Sequence, residues 1–210
     1  MEEKQINNCV ALMGVISSEM VDIDNIYGME YAGWATTVET VRRSGVPDEA
    51  VVIMPYDTYV EDLEIGAPVM AIGQIQTFKD HNTGKVLVYV LIPEGGYIET
   101  IHGDHWQEQN ELQLRGTIGR GTVYRETPKG KRITDIKLIV PNQLRQSNCY
   151  IPCICWNEQA DEVKDWAEGT EVVISGRLQS REYTKRINED TQEQRTCYEV
   201  SVNNIKKAEA

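Results

Sequence analysis

A block near the start of this chain returns about a hundred residues later. Residues 8–16 read Asn-Cys-Val-Ala-Leu-Met-Gly-Val-Ile, and residues 110–118 read Asn-Glu-Leu-Gln-Leu-Arg-Gly-Thr-Ile. The shared pattern is N-x-φ-x-L-x-G-x-I, with φ apolar, at an offset of 102. A longer block follows in the same order. Residues 64–77 align with residues 167–180 at an offset of 103, placing Gly66 on Gly169, Val69 on Val172, Gly73 on Gly176 and Ile75 on Leu178. Two matched blocks at nearly one spacing mark a duplicated unit. The 210 residues therefore divide into two domains of about 100, each large enough to bury a modest core of its own.

Each copy alternates apolar and polar residues over short runs rich in Val, Ile, Thr and Tyr, which is strand patterning. In the second copy the pattern predicts strands near residues 111–119, 131–140, 149–156, 171–183 and 196–205, with a hairpin turn at Pro128-Lys129-Gly130-Lys131. A short helix is expected from Glu158 to Trp166, and a polar loop from Asn188 to Glu193. Five strands with a helix after the third is the order of the OB-fold, a small partly open Greek-key barrel. The expected fold is therefore all-β: two tandem OB-fold barrels with a short helix. The first spans residues 1–98, a linker residues 99–109, and the second residues 110–206.

The net charge of −12 is unfavourable for phosphate binding until its distribution is read. Residues 1–106 hold 5 Lys and Arg against 17 Asp and Glu, whereas residues 107–210 hold 16 of each. The acidic excess thus lies in the first copy, either as a division of labour or simply for solubility. The chain has no apolar run long enough for a membrane span, and its polar start, MEEKQINN, is not a signal peptide; a cytoplasmic, reducing setting follows as the expectation. Five cysteines in such a setting do not predict disulfides. Cys149, Cys153 and Cys155 lack a zinc spacing and read as small hydrophobes, and His102 with His105 reads as part of a polar linker. No metal or other cofactor is expected. Gly116 to Gly121, G-T-I-G-R-G, lacks the G-K-[ST] ending of a phosphate loop, so no enzyme is expected either.

Single-stranded nucleic acid is held by cations along its phosphates and by aromatic faces against its bases. The second copy supplies both. Tyr150 and Trp156 share one strand face, and Arg177, Arg181 and Tyr183 share another. Lys185 and Arg186 continue from them. Tyr124 and Arg125 precede the first hairpin, which carries Lys129, Lys131 and Arg132. The competing reading is that Trp156 is core and the arginines are a solvated rim. The first copy lacks this equipment: at the same offset Arg177 becomes Gln74, Arg181 becomes Phe78 and Tyr183 becomes Asp80. It keeps cations at Arg42, Arg43, Lys79 and Lys85, and Tyr31 and Trp34 serve equally well for stacking or for core.

The segments Tyr150-Ile151-Pro152-Cys153-Ile154-Cys155-Trp156 and Gly176-Arg177-Leu178-Gln179-Ser180-Arg181-Glu182-Tyr183 resemble the bacterial single-stranded-DNA-binding protein family. Tyr124, Thr127 and Gly130, then Ile136 and Leu138, resemble its first hairpin and second strand, and Tyr198-Glu199-Val200 its last strand. The likeness is specific over residues 110–205 and weaker over 8–92. The whole chain is similar to a two-barrel branch of that family found in Firmicutes. The resemblance implies base stacking at Tyr150, Trp156 and Tyr183, and four barrels around a wrapped strand, which a homodimer of this chain would supply. Usual members end in an acidic, Pro-Phe-containing tip that recruits repair and replication enzymes; this chain stops at Asn204-Ile205-Lys206-Lys207-Ala208-Glu209-Ala210, so recruitment by that route is not expected. The expected function is non-catalytic, sequence-tolerant binding of single-stranded DNA, with RNA left open as a ligand, in support of replication, repair and recombination. The alternative is an OB-fold interaction or regulatory module of a replication or mobile-element system.

Overall fold

The computed structural model describes residues 7–23, 32–56, 58, 63–79, 86–93, 96–142, 147–186, 188 and 191–208. Tyr31, Asp80 and Lys85 lie outside the described residues. The first copy contributes β1 (Asn8–Ile16), β2 (Val21–Ile23), β3 (Gly33–Val41), β4 (Pro47–Pro55), β5 (Pro68–Lys79), β6 (Val86–Leu91) and β7 (Tyr97–Thr100). The second contributes β8 (Gln109–Ile118), β9 (Val123–Glu126), β10 (Arg132–Pro141), β11 (Asn148–Trp156), helix α1 (Glu158–Val163), β12 (Glu171–Arg186) and β13 (Gln192–Lys207).

Each copy closes on itself by the same pairings. In the first, β1 pairs with β3, β3 with β4, β4 with β6 in parallel, β6 with β5, and β5 with β1. In the second, β8 pairs with β10, β10 with β11, β11 with β13 in parallel, β13 with β12, and β12 with β8. These are two five-stranded OB-fold barrels. Alternation carries the core inward: Val10, Leu12, Val52, Met54, Ile75 and Val90 in one barrel, Leu114, Leu138, Ile151, Ile174 and Val200 in the other, all almost fully buried. Trp34 packs on this core and meets Tyr56 edge-on, so it is a packing residue.

The repeated residues have repeated jobs. Asn8 donates to the Ile75 carbonyl at 2.7 Å and accepts from the Ile75 amide at 2.8 Å. Asn110 does the same to Leu178, at 2.9 Å each way. Each clamps a strand where its regular pairing ends. Gly14 and Gly116 are needed for close approach. A Cβ there would lie 2.1 Å from the Glu39 carbonyl oxygen and 2.3 Å from that of Ile139, respectively. The first strand of each barrel must pass that near its neighbour while coiling from one partner strand to the next.

The barrels join through these same strands. β1 and β8 run antiparallel from Asn8↔Leu114 to Met13↔Gln109, making one continuous sheet. Several boundaries differ from the sequence expectation. α1 ends at Val163 rather than Trp166, its last turn closing with Trp166 N–H on the Val163 carbonyl. β12 and β13 run on to Arg186 and back from Gln192, so the loop expected from Asn188 to Glu193 is shorter and Gln192 and Glu193 are paired. β7 reaches Thr100, inside the segment expected to be linker.

Candidate nucleic-acid interface

The outer face of the second barrel is the sheet β9-β10-β11-β13-β12 seen from solvent. Strand parity puts Asp135, Lys137 and Ile139 of β10 there, with Tyr150, Pro152, Ile154 and Trp156 of β11. Cys197, Glu199 and Ser201 of β13 and Arg177, Gln179, Arg181 and Tyr183 of β12 complete it. Tyr150 is half exposed and Tyr183 slightly less. Tyr124 and Arg132, expected beside them, have the other parity: Tyr124 stands opposite the inward Thr134, and both side chains reach Asp161 of α1, so they lie on the helix side and not in this row. Trp156 is half-buried. Its indole N–H donates to Ser201 Oγ at 3.2 Å, and Lys131 Nζ sits 5.9 Å from its ring centroid. Trp156 stands six positions after Tyr150 on β11, so the aromatic row spans roughly 20 Å.

Beyond the barrel, residues 181–186 and 192–197 pair only with each other, forming a two-stranded arm. Arg181 lies with its guanidinium carbon 5.7 Å from the Tyr183 ring centroid. Arg186 Nε donates to the Asn188 carbonyl near the tip. Lys185 is a backbone member of β12, paired with Glu193, and its side chain lies outside the described residues. Arg195, opposite Tyr183, is held by Glu193 at 2.6 Å.

Four of the expected cations, all arginines, are paired with carboxylates. Arg125 makes two bonds to Asp135, at 2.8 and 3.2 Å, which together with the nearby charge raise its pKa. Arg132 lies 3.0 Å from Asp161, which also accepts from the Tyr124 hydroxyl and so raises that phenol's pKa. Arg181 donates to Glu199 at 3.2 Å, and the buried Gln179 donates to the same oxygen at 2.7 Å. Lys129 and Lys131, exposed in the hairpin turned at Gly130 (φ 74°), have no carboxylate in ion-pair range among the described residues. Arg177 is drawn away from the others: it lies on the right face, but its guanidinium turns to Asp48 of the first barrel, 3.5 Å off. Burial and the neighbouring Arg42 lower its pKa.

The sequence reading named the cations and missed their partners. Asp135 and Glu199 were recoverable from strand parity, since both alternate outward on strands already expected. Asp48 was not, because it comes from the other barrel. The corresponding face of the first barrel is also of another kind. Where β10, β11, β13 and β12 carry Asp135, Ile154, Ser201, Glu199 and Arg181, β3, β4, β6 and β5 carry Ala35, Ile53, Leu91, Tyr89 and Phe78. Ile53, Tyr89 and Leu91 are almost wholly buried there, with Ile23, Val51 and Leu87 packed against them. Among the described residues no group of three His, Cys, Asp or Glu is placed to hold a metal ion, and no helix is long and apolar enough to cross a membrane.

Residues 109–208 match the model of the single-strand binding protein family. No match was found among curated protein sequences. Among solved structures, the chain is similar to the wild-type single-stranded DNA binding protein from Thermus aquaticus, with a TM-score of 0.72 and 18% identity over 97% of this chain and 93% of that one. A deletion mutant of that protein matches with a TM-score of 0.73 and 19% identity, covering 97% and 95%. At such identity the likeness establishes the fold. The second half of the chain is thus a barrel that matches the single-strand binding protein family, set in a two-barrel fold similar to that of the Thermus aquaticus protein.

Proposed function

We propose that this protein binds single-stranded DNA without catalysis and with little sequence preference, mainly through its second barrel. Bases stack on Tyr124, Tyr150, Trp156 and Tyr183, while Arg125, Lys129, Lys131, Arg132, Arg177, Arg181, Lys185 and Arg186 meet phosphates. The observation that carries the reading is the contrast between the two outer faces. On the second barrel, half-exposed aromatic rings alternate with cations; on the first, an apolar cluster closes the equivalent surface. A stacked base is worth roughly 1–3 kcal/mol, so three or four rings and a few phosphates suffice for tight binding.

In this reading residues 110–206 carry the affinity, residues 99–109 connect, and residues 1–98 complete the assembly. Two copies of the chain would bring four barrels to one strand, as in the Firmicutes-type branch the sequence resembles. Service to replication, repair and recombination, in the cytoplasm, follows from that role. One observation favours the interaction-module alternative: carboxylates already neutralise Arg125, Arg132 and Arg181. Titration of the full chain with an oligo-dT of about 35 nucleotides, read by tryptophan fluorescence at two salt concentrations, separates the two. Quenching that weakens with salt is expected, and absence of any binding at low salt would leave the interaction module standing.

A further inference from the structure

Past Gly176, β12 leaves β8, and its open edge is met by the β3–β4 hairpin of the first barrel. The Ser180 amide donates to Asp48 Oδ1 at 3.0 Å, and the Glu49 amide donates to Ser180 Oγ at 2.9 Å. Asp48 is almost completely buried, yet two arginines converge on it. Arg42 binds it with Nε at 2.6 Å and Nη2 at 2.5 Å, and Arg177 approaches from the second barrel at 3.5 Å. The cluster therefore holds two guanidinium groups and one carboxylate. Arg177 donates through Nη2 to Gln179 Oε1 at 3.1 Å, while its Nε is buried without a hydrogen-bond partner. About a quarter of each arginine side chain still faces solvent.

Packing does not require this charge. The duplication builds an equivalent seam on the other side, where the β10–β11 hairpin leans on β5. There the Tyr150 amide donates to Thr77 Oγ1 at 3.1 Å, the counterpart of Glu49 on Ser180. In place of the Arg42–Asp48–Arg177 cluster, Asn142 and Cys149 donate to Gln76 Oε1. Gln74 stands at the position of Arg177. One seam is thus neutral and the other carries a surplus guanidinium, partly desolvated and incompletely bonded. That state is costly unless an anion completes it. The cationic seam also adjoins the proposed strand path, because Ser180 precedes Arg181 on β12.

We propose that this seam is a phosphate subsite, in which Arg42 of the first barrel and Arg177 of the second together take one phosphodiester of the strand bound on the second barrel's face. The first barrel then contributes to the footprint directly, through a hairpin rather than through its closed outer face. The inference rests on the single-stranded DNA reading above. Its test is the salt dependence of oligo-dT binding by the full chain, comparing wild type with Arg42→Gln and Arg177→Gln. Either variant leaves Asp48 one guanidinium and the Ser180 amide, and the neutral seam shows that amide side chains suffice for packing. Each variant loses part of one phosphate contact, so the slope of log K against log salt becomes shallower by up to about 0.7. A slope unchanged in both variants, with wild type binding normally, overturns the subsite alone. Failure of the wild type to bind overturns the underlying reading with it.

Discussion

Glu199 lies at the electrostatic centre of the proposed DNA face, and removing its charge is expected to strengthen binding. It accepts from Gln179 and Arg181; burial and then its negative charge raise the Cys197 pKa, and it adds a smaller effect to the Asp48 and Asp135 hydrogen bonds that raise Arg42 and Arg125. Its side chain is nearly buried, so bulk ions screen it poorly. Glu199→Gln keeps an amide oxygen where Gln179 and Arg181 donate, so both hydrogen bonds have an acceptor. Arg181 is half exposed, so the lost ion pair is worth about 0–1 kcal/mol of stability, partly offset by relief of a desolvated carboxylate. Arg181 then meets its phosphate without giving up a carboxylate, adding about one counterion release. The slope of log K against log salt should steepen by about 0.7, which makes the variant gain about 2.5-fold more than wild type between 200 and 50 mM salt. Fluorescence titration with oligo-dT across that range reads the effect. A slope equal to or shallower than wild type, in a variant of unchanged melting temperature, would refute the idea that Glu199 competes with phosphate for Arg181.

Stacking and charge should separate cleanly in other variants. Tyr150→Ala and Trp156→Ala are each expected to weaken oligo-dT binding by about 1–3 kcal/mol with little change in salt slope; a large slope change would mean these rings act by holding cations in place. Asn110→Ala removes two bonds to Leu178 and a third to Thr40 at 2.9 Å, so denaturant unfolding should show a loss of about 1.5–4 kcal/mol, and a loss under 0.5 would dismiss the clamp. Burial raises Cys155 from the free-thiol value of 9.0 to about 12 and pushes Cys153 well up. Folded thiols thus stay protonated where unfolded ones ionise, so their stabilisation is full below pH 9 and lost as the pH climbs toward 12. In reducing buffer the melting temperature should fall from pH 8.5 to 10.5, and the fall should be smaller in Cys155→Ala.

The duplication was legible because its determinants are local and repeated. Asn8 with Asn110 and Gly14 with Gly116 sit at one spacing in one pattern, and each pair meets the same structural demand. Alternating burial then marks the strands of both barrels. The arm of β12 and β13 was read short because residues 184–186 and 192–195 are all polar in sequence and offer no apolar alternation to detect. The acidic partners on the proposed DNA face escaped for a different reason. Counting charge over residues 107–210 returns zero, which fits a mixed, solvated surface as well as it fits a row of ion pairs. Only register brings Asp135 beside Arg125 and Glu199 beside Arg181. Asp48 needs still more, a contact with Ser180 across 132 positions and two barrels.

Equal folds with unequal faces follow from where each barrel's constraints lie. The inward positions and the β1–β8 seam are shared, so both copies must keep the residues that close a barrel and clamp its fourth long strand. The outer face carries no such demand, and there the copies differ at nearly every position. An apolar outer face is safe only if buried, and in the first barrel Ile53, Tyr89 and Leu91 are. A face of rings and cations is safe in water, but its arginines repel one another unless anions intervene. Asp135 and Glu199 supply that compensation to Arg125 and Arg181. On the proposed function, phosphates arriving on this face would exchange one set of anions for another. The free energy of binding would then come chiefly from stacking and from the few cations without a carboxylate among the described residues, such as Lys129 and Lys131. Binding should accordingly depend less steeply on salt than the number of Lys and Arg on the face suggests.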